Sequence, residues 1–119
     1  MSESLVLKKS YAFAIRVINL YRVLRSRRAE RALMEQLLRS GTSITANLSE
    51  AVYAHSPAEY VAKVRIALKE ASESQTWLRL FHDTGTLSDA EFRSIEADCT
   101  EILKMLSATI RTLQNKRDE

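Results

Sequence analysis

Gly41, Pro57 and Gly85 are the only glycine and proline residues in a chain of 119. Hairpins, sandwiches and barrels need many more turn-forming residues than that. Long helices joined by brief connections do not.

Hydrophobic spacing supplies the helices. Apolar residues recur every three or four positions over four stretches, which predicts helices at about 5–24, 29–53, 57–82 and 89–114. In the first, Leu7, Tyr11, Ala14, Ile18 and Tyr21 form one row and Val6, Phe13, Val17, Leu20 and Leu24 a second. Together the rows cover about half the cylinder, wider than the ~100° stripe one core needs. Ser56-Pro57-Ala58-Glu59 and Ser88-Asp89-Ala90-Glu91 read as capping boxes, the first with proline at the opening helical position. Asp83-Thr84-Gly85 is a helix stop with glycine at C′. Phe92, Ile95, Cys99, Ile102, Leu106, Thr109 and Leu113 keep a near-heptad spacing, the pattern of left-handed bundle packing. Short connections force each helix antiparallel to the next. The expected fold is all-α, an antiparallel up-down-up-down four-helix bundle, with one domain over residues 1–119. The turns after the first and third helices then share one end.

Composition excludes several classes. The single Cys99 forms no internal disulfide, and no Cys/His spacing suggests zinc. No apolar run approaches the ~18 residues of a membrane span, and the N-terminus lacks the basic region of a signal peptide. A cytoplasmic protein without a membrane partner is expected. Ser-His-Asp orders, phosphate loops and metal spacings are missing, so no catalytic, cofactor-binding or metal site is assigned. Net charge is +3, which permits nucleic-acid binding without requiring it. Residues 1–54 hold nine Lys/Arg against four Asp/Glu, and residues 55–119 nine against eleven.

The second helix carries an unusual seam of Gly, Ser and Thr. Its polar row is Gln36, Ser40, Ser43, Asn47 and Glu50, with Arg39 beside it. Gly41 in mid-helix costs about 1 kcal/mol against alanine, which a close helix contact would offset. The row either hydrogen-bonds across such a contact or lines a ligand groove. Glu70 and Glu73 do not fit a di-iron bundle, which needs Glu-x-x-His on two helices. They read instead as structural partners for Arg39.

Gln36-Leu37-Leu38-Arg39-Ser40-Gly41-Thr42-Ser43-Ile44, then Ala46-Asn47 and Glu50-Ala51, resemble the signature of the bacterial four helix bundle protein family. The same family is called ribosomal S23 or 23S rRNA intervening-sequence protein. Ile66-Ala67-Leu68-Lys69-Glu70-Ala71-Ser72-Glu73, followed by Trp77-Leu78, is similar to a second family stretch. The resemblance implies a ring-shaped homopentamer with no enzymatic activity. It also implies kinship with the accessory variability determinant of diversity-generating retroelements, a basic pentamer that partners a reverse transcriptase and nucleic acid.

Two candidate surfaces follow. The apolar excess makes Phe13, Val17, Leu20, Ile66, Trp77 and Leu80 interface candidates, with Trp77 either an anchor or a core residue. Arg22, Arg25, Arg27, Arg28 and Arg31 surround the first turn. A ring would repeat them as a cationic rim for RNA or DNA phosphates. Alternatively they form a solvated turn that satisfies the helix dipole. The expected function is a non-enzymatic, homo-oligomeric module, a pentamer by resemblance, that binds nucleic acid without sequence preference. The alternative is a protein-interaction scaffold, such as an accessory subunit of a reverse transcriptase.

Overall fold

Helix boundaries follow the capping chemistry. In the computed structural model, which describes residues 2–118 and the side chains of 5–116, the helices are α1 (Ser2–Ser26), α2 (Arg31–Ala51), α3 (Pro57–Asp83) and α4 (Asp89–Asp118). Ser56 caps α3 by accepting from the Glu59 N–H at 3.1 Å, and Glu59 reaches back to the His55 N–H at 2.7 Å. Ser88 and Glu91 form the reciprocal pair at α4, at 3.2 and 2.9 Å. α2 starts after Glu30, which makes no side-chain cap. It also stops two residues before the predicted end. There the Tyr53 and Ala54 N–H groups bond three residues back, to Glu50 and Ala51, and tighten the last turn.

Two helices end in the same Schellman geometry. After α3, Thr86 N–H donates to the Phe81 carbonyl at 2.8 Å and Gly85 N–H to His82 at 3.0 Å, with Gly85 at φ 84°. After α1, Ala29 N–H donates to Leu24 and Arg28 N–H to Arg25, both at 3.0 Å. Here the left-handed C′ position is held by an arginine, Arg28, at φ 59°. Glycine is the ordinary occupant of that position.

The bundle measures 50 × 22 × 21 Å. α1 packs on α2 and α4, and α3 packs on the same two, so α1 and α3 occupy opposite corners. Val6, Phe13, Val17 and Leu24 of α1 meet Leu37, Ile44 and Leu48 of α2 in the core. Val64, Leu78 and Phe81 of α3, and Ile95, Cys99, Ile102 and Leu106 of α4, complete it. The α2–α3 contact is the most extensive. Small side chains line it: Ser40 from α2, and Ala67, Ala71 and Ser74 from α3, all at 0% exposure. The Ser74 hydroxyl donates to Ser40 Oγ at 2.8 Å, so the seam's central hydroxyls are satisfied where helices approach closely. On the α1 side, a Cβ added at Gly41 would lie 2.8 Å from both Val17 methyl carbons. Gly41 is therefore the point where α1 crosses α2.

Candidate nucleic-acid interface and assembly faces

The five arginines around the α1–α2 turn divide into two groups. Arg27 is engaged across the bundle end. It donates to Glu91 Oε1 and Oε2 at 2.9 and 2.7 Å, and to the Thr86 carbonyl at 2.9 Å. The Arg27 guanidinium and the Ser88 cap hold the Glu91 carboxyl down at about 2. Arg31 pairs with Glu35 one turn along α2 at 3.2 Å. The side chains of Arg22, Arg25 and Arg28 are exposed and make no hydrogen bond or ion pair among the described residues. Arg25 and Arg31 border a shallow cleft with Tyr21, Ala29 and Met34. Thus three of the five retain unneutralised charge, and one of those, Arg28, stands on a left-handed backbone.

The apolar excess lies elsewhere than Phe13 and Val17. Those two are 1% and 0% exposed and belong to the protomer's own core, so as interface candidates they are corrected. α1 turns its second row inward because that row meets the small surface around Gly41. Its outward face carries Tyr11 (63% exposed), Ile15 (46%) and Ile18 (37%) instead. Their i, i+4, i+7 spacing forms one stripe. Tyr11 and Ile18 were visible as the first row of α1; Ile15 fell between rows and was missed. Leu20 is half-buried against the core. On α3, Ile66 and Leu80 are 41% and 40% exposed. Trp77 lies beside them, packed partly on the core, and its indole N–H is wholly buried without an acceptor among the described residues. Exposed apolar side chains thus sit on diagonally opposite helices, as a stripe on α1 and, on α3, as Ile66 and the Trp77–Leu80 pair separated by Glu70 and Glu73.

The polar seam forms the α2–α3 flank. Arg39 donates to Glu70 at 2.9 Å and to both oxygens of Glu73 at 2.6 Å, while its Nε donates to Gln36 at 3.1 Å. Glu70 is only 9% exposed, so Arg39 compensates a nearly buried carboxylate. Ser43 and Asn47 bond back to carbonyls of their own helix, Arg39 and Ser43. Glu50 reaches Lys63 of α3 at 2.7 Å. Each member of the row thus has a protein partner. Thr45, off the row, has a buried hydroxyl with none among the described residues.

Two further groups bear on chemistry. Burial pushes the Cys99 thiol up to about 12, and its Sγ contacts the Ala71 carbonyl at 3.3 Å; a thiol so placed is a poor nucleophile. His82 Nε2 lies 2.6 Å from Asp89 Oδ1, and its ring stacks on Phe92 at 4.4 Å. Among the described residues no three His, Cys, Asp or Glu side chains gather as a metal site, and no helix is long and apolar enough to cross a membrane.

Comparison with known proteins agrees with the bundle. Residues 2–108 match the 23S rRNA-intervening sequence protein family. A crystal structure from Bacteroides thetaiotaomicron, described as a protein of unknown function from the S23 ribosomal protein family, is similar over 93% of this chain and 99% of that one. Its identity is 43% and its TM-score 0.90. No curated protein matches the sequence.

Proposed function

The chain belongs to the 23S rRNA-intervening sequence protein family, and on that premise we propose that it is a non-enzymatic assembly module. It associates with copies of itself and binds RNA or DNA through Arg22, Arg25 and Arg28. The observation that carries this reading is exposed apolar surface on opposite corners: the stripe Tyr11, Ile15 and Ile18 on α1, and on α3 Ile66 at one end and Leu80 beside the half-buried Trp77 at the other, with Glu70 and Glu73 between them. Single exposed apolar residues are ordinary, but a stripe like that of α1 marks a surface that another molecule covers. A five-membered ring is the closed form favoured by the resemblance.

The arginine turn supports the nucleic-acid half of the reading. Unpaired guanidinium groups suit phosphate, because each planar fork donates two parallel hydrogen bonds. Left-handed backbone at a non-glycine residue is strained, and here the strained residue is one of the unpaired cations. Contacts of this type read the backbone rather than the bases.

Sedimentation equilibrium tests the assembly. The wild type should exceed the 13.6 kDa protomer mass, and a chain that stays at that mass refutes it. Binding to RNA and DNA should fall steeply between about 50 and 200 mM salt. An absence of binding at the lower salt refutes the nucleic-acid half.

A further inference from the structure

The outer face of α4 is a cationic track. By composition α4 looks slightly acidic, with Asp89, Glu91, Glu96, Asp98 and Glu101 against Arg93, Lys104, Arg111 and Lys116 over the residues with described side chains. Pairing changes that balance. Asp89 is held by His82, Glu91 by Arg27, Glu96 by Arg79, Asp98 by Arg16 and Glu101 by Lys9. Four acids of α4 thus neutralise arginine and lysine cations of α1, α3 and the first turn, and the fifth, Asp89, faces His82 of α3 and Arg93 of its own helix. Arg93, Lys104 and Arg111 are exposed; Lys104 and Arg111 make no ion pair among the described residues, and Arg93 makes none closer than its electrostatic attraction to Asp89 one turn back.

Their spacing aligns them. Eleven residues separate Arg93 from Lys104 and seven separate Lys104 from Arg111. Eighteen residues make about five whole helical turns, so the three share one line roughly 27 Å long. α3 widens it. Cys99 with the Ala71 carbonyl, Thr100 with Gln75, and Glu96 with Arg79 set the antiparallel register. That register carries Lys69 level with Lys104 and Arg65 level with Arg111. Lys69 and Arg65 are likewise exposed and unpaired among the described residues.

We propose that this track, Arg93, Lys104 and Arg111 with Lys69 and Arg65 alongside, is a contact surface for the phosphate backbone of a nucleic acid. The inference rests on the nucleic-acid reading above and moves its main surface from the turn to α4. Charge complementarity selects the occupant. A straight row of exposed cations on a rigid rod matches a regular polyanion. α4 exposes no large hydrophobic side chain among the described residues, so it offers nothing to insert into a lipid surface and nothing to seal against another copy. The exposed apolar side chains lie on α1 and α3, which leaves Arg93, Lys104 and Arg111 of α4 outward in an assembly built through them, with Arg65 and Lys69 at the edge of such a contact beside Ile66.

The test compares two triple variants of equal charge change. Arg93→Gln, Lys104→Gln and Arg111→Gln together remove the track; Arg22→Gln, Arg25→Gln and Arg28→Gln remove the turn cluster. A roughly 20-base-pair RNA duplex and the matching DNA duplex are titrated between about 50 and 200 mM salt. The track variant should lose about 10-fold or more in affinity at the lower salt, with the log–log salt slope reduced by about 3. The turn variant should lose less. If the track variant binds like wild type while the turn variant does not, the α4 assignment is overturned and the nucleic-acid reading survives. If wild type binds neither duplex, both fall together. Tighter binding to anionic phosphatidylserine vesicles than to either duplex also overturns the assignment. Unchanged circular dichroism and sedimentation of each variant separate lost contact from lost fold, and the double variant Lys104→Gln, Arg111→Gln should show about two-thirds of the slope change.

Discussion

At the scale of single residues, Gly41 and Arg28 each break a local rule, for different reasons. Gly41→Ala would gain about 1 kcal/mol of helix propensity. The new Cβ would sit 2.8 Å from two methyl carbons of Val17, a β-branched side chain with little χ1 freedom. Overpacking of this kind costs about 1–3 kcal/mol, so the variant should be less stable by about 1 kcal/mol in urea unfolding. Val17→Ala in the same chain should recover part of that loss, which a double-mutant cycle reads as favourable coupling. Stabilisation by Gly41→Ala alone would contradict the close crossing. Arg28→Gly should act oppositely. It relieves a left-handed arginine and should raise stability by about 0.5 kcal/mol, after allowance for the added freedom of the unfolded chain. It should also weaken nucleic-acid affinity if that arginine contacts phosphate. Arg28→Ala should weaken affinity without the gain in stability. The sequence exposed Gly41, because a mid-helix glycine is conspicuous. It hid the strain at Arg28, because a Schellman turn without glycine has no residue signature.

At the scale of elements, the α3–α4 connection carries a proton-dependent joint. His82 faces Asp83 on its own helix and Asp89 from α4, with Phe92 stacked on its ring. The hydrogen bond that His82 Nε2–H donates to the Asp89 carboxylate raises the His82 pKa above 6.5. A raised value means that folded protein binds the proton more tightly than unfolded protein does. The resulting stability is complete below about 6.5 and is lost as pH rises through the folded value. Urea midpoints should therefore fall as pH rises from below 6.5 through the raised folded value in wild type, and the His82→Gln variant should lack that step. A His82 resonance titrating below 6.5 would contradict the pairing. Element boundaries were largely legible, since the Ser56 and Ser88 caps and the Gly85 stop are local chemistry. The ends of α2 were not, because Glu30 makes no side-chain cap and the final turn tightens through backbone bonds alone. The amphipathic rows of α1 were visible, yet which row faced inward was not. That choice depended on Val17 meeting Gly41, a contact between helices that spacing within one helix does not encode. The charge of α4 was hidden for a related reason: half-chain totals count acids that the fold pairs with other helices.

At the scale of the whole molecule, the placement of the exposed apolar side chains of α1 and α3 constrains how copies would meet in the proposed assembly. α1 and α3 stand at opposite corners, so one face cannot pair with the other inside a protomer. If the α1 face of one copy seats on the α3 face of the next, the contact is heterologous, and heterologous contacts close into rings or extend as filaments. If each face seats on its own copy, the contact is two-fold. Two variants distinguish these arrangements. Ile15→Glu with Ile18→Glu disables α1 and leaves α3 intact; Ile66→Glu with Leu80→Glu does the reverse. All four side chains are at least 37% exposed in the protomer, so the substitutions should leave the fold intact. Under heterologous contact, each variant alone should sediment at the 13.6 kDa protomer mass. An equimolar mixture should form a one-to-one pair and stop there, because each pair has used its only intact α1 face and its only intact α3 face. A variant that dimerises alone would point to two-fold pairing through its intact face. A mixture that stays at protomer mass would remove these faces from the assembly altogether.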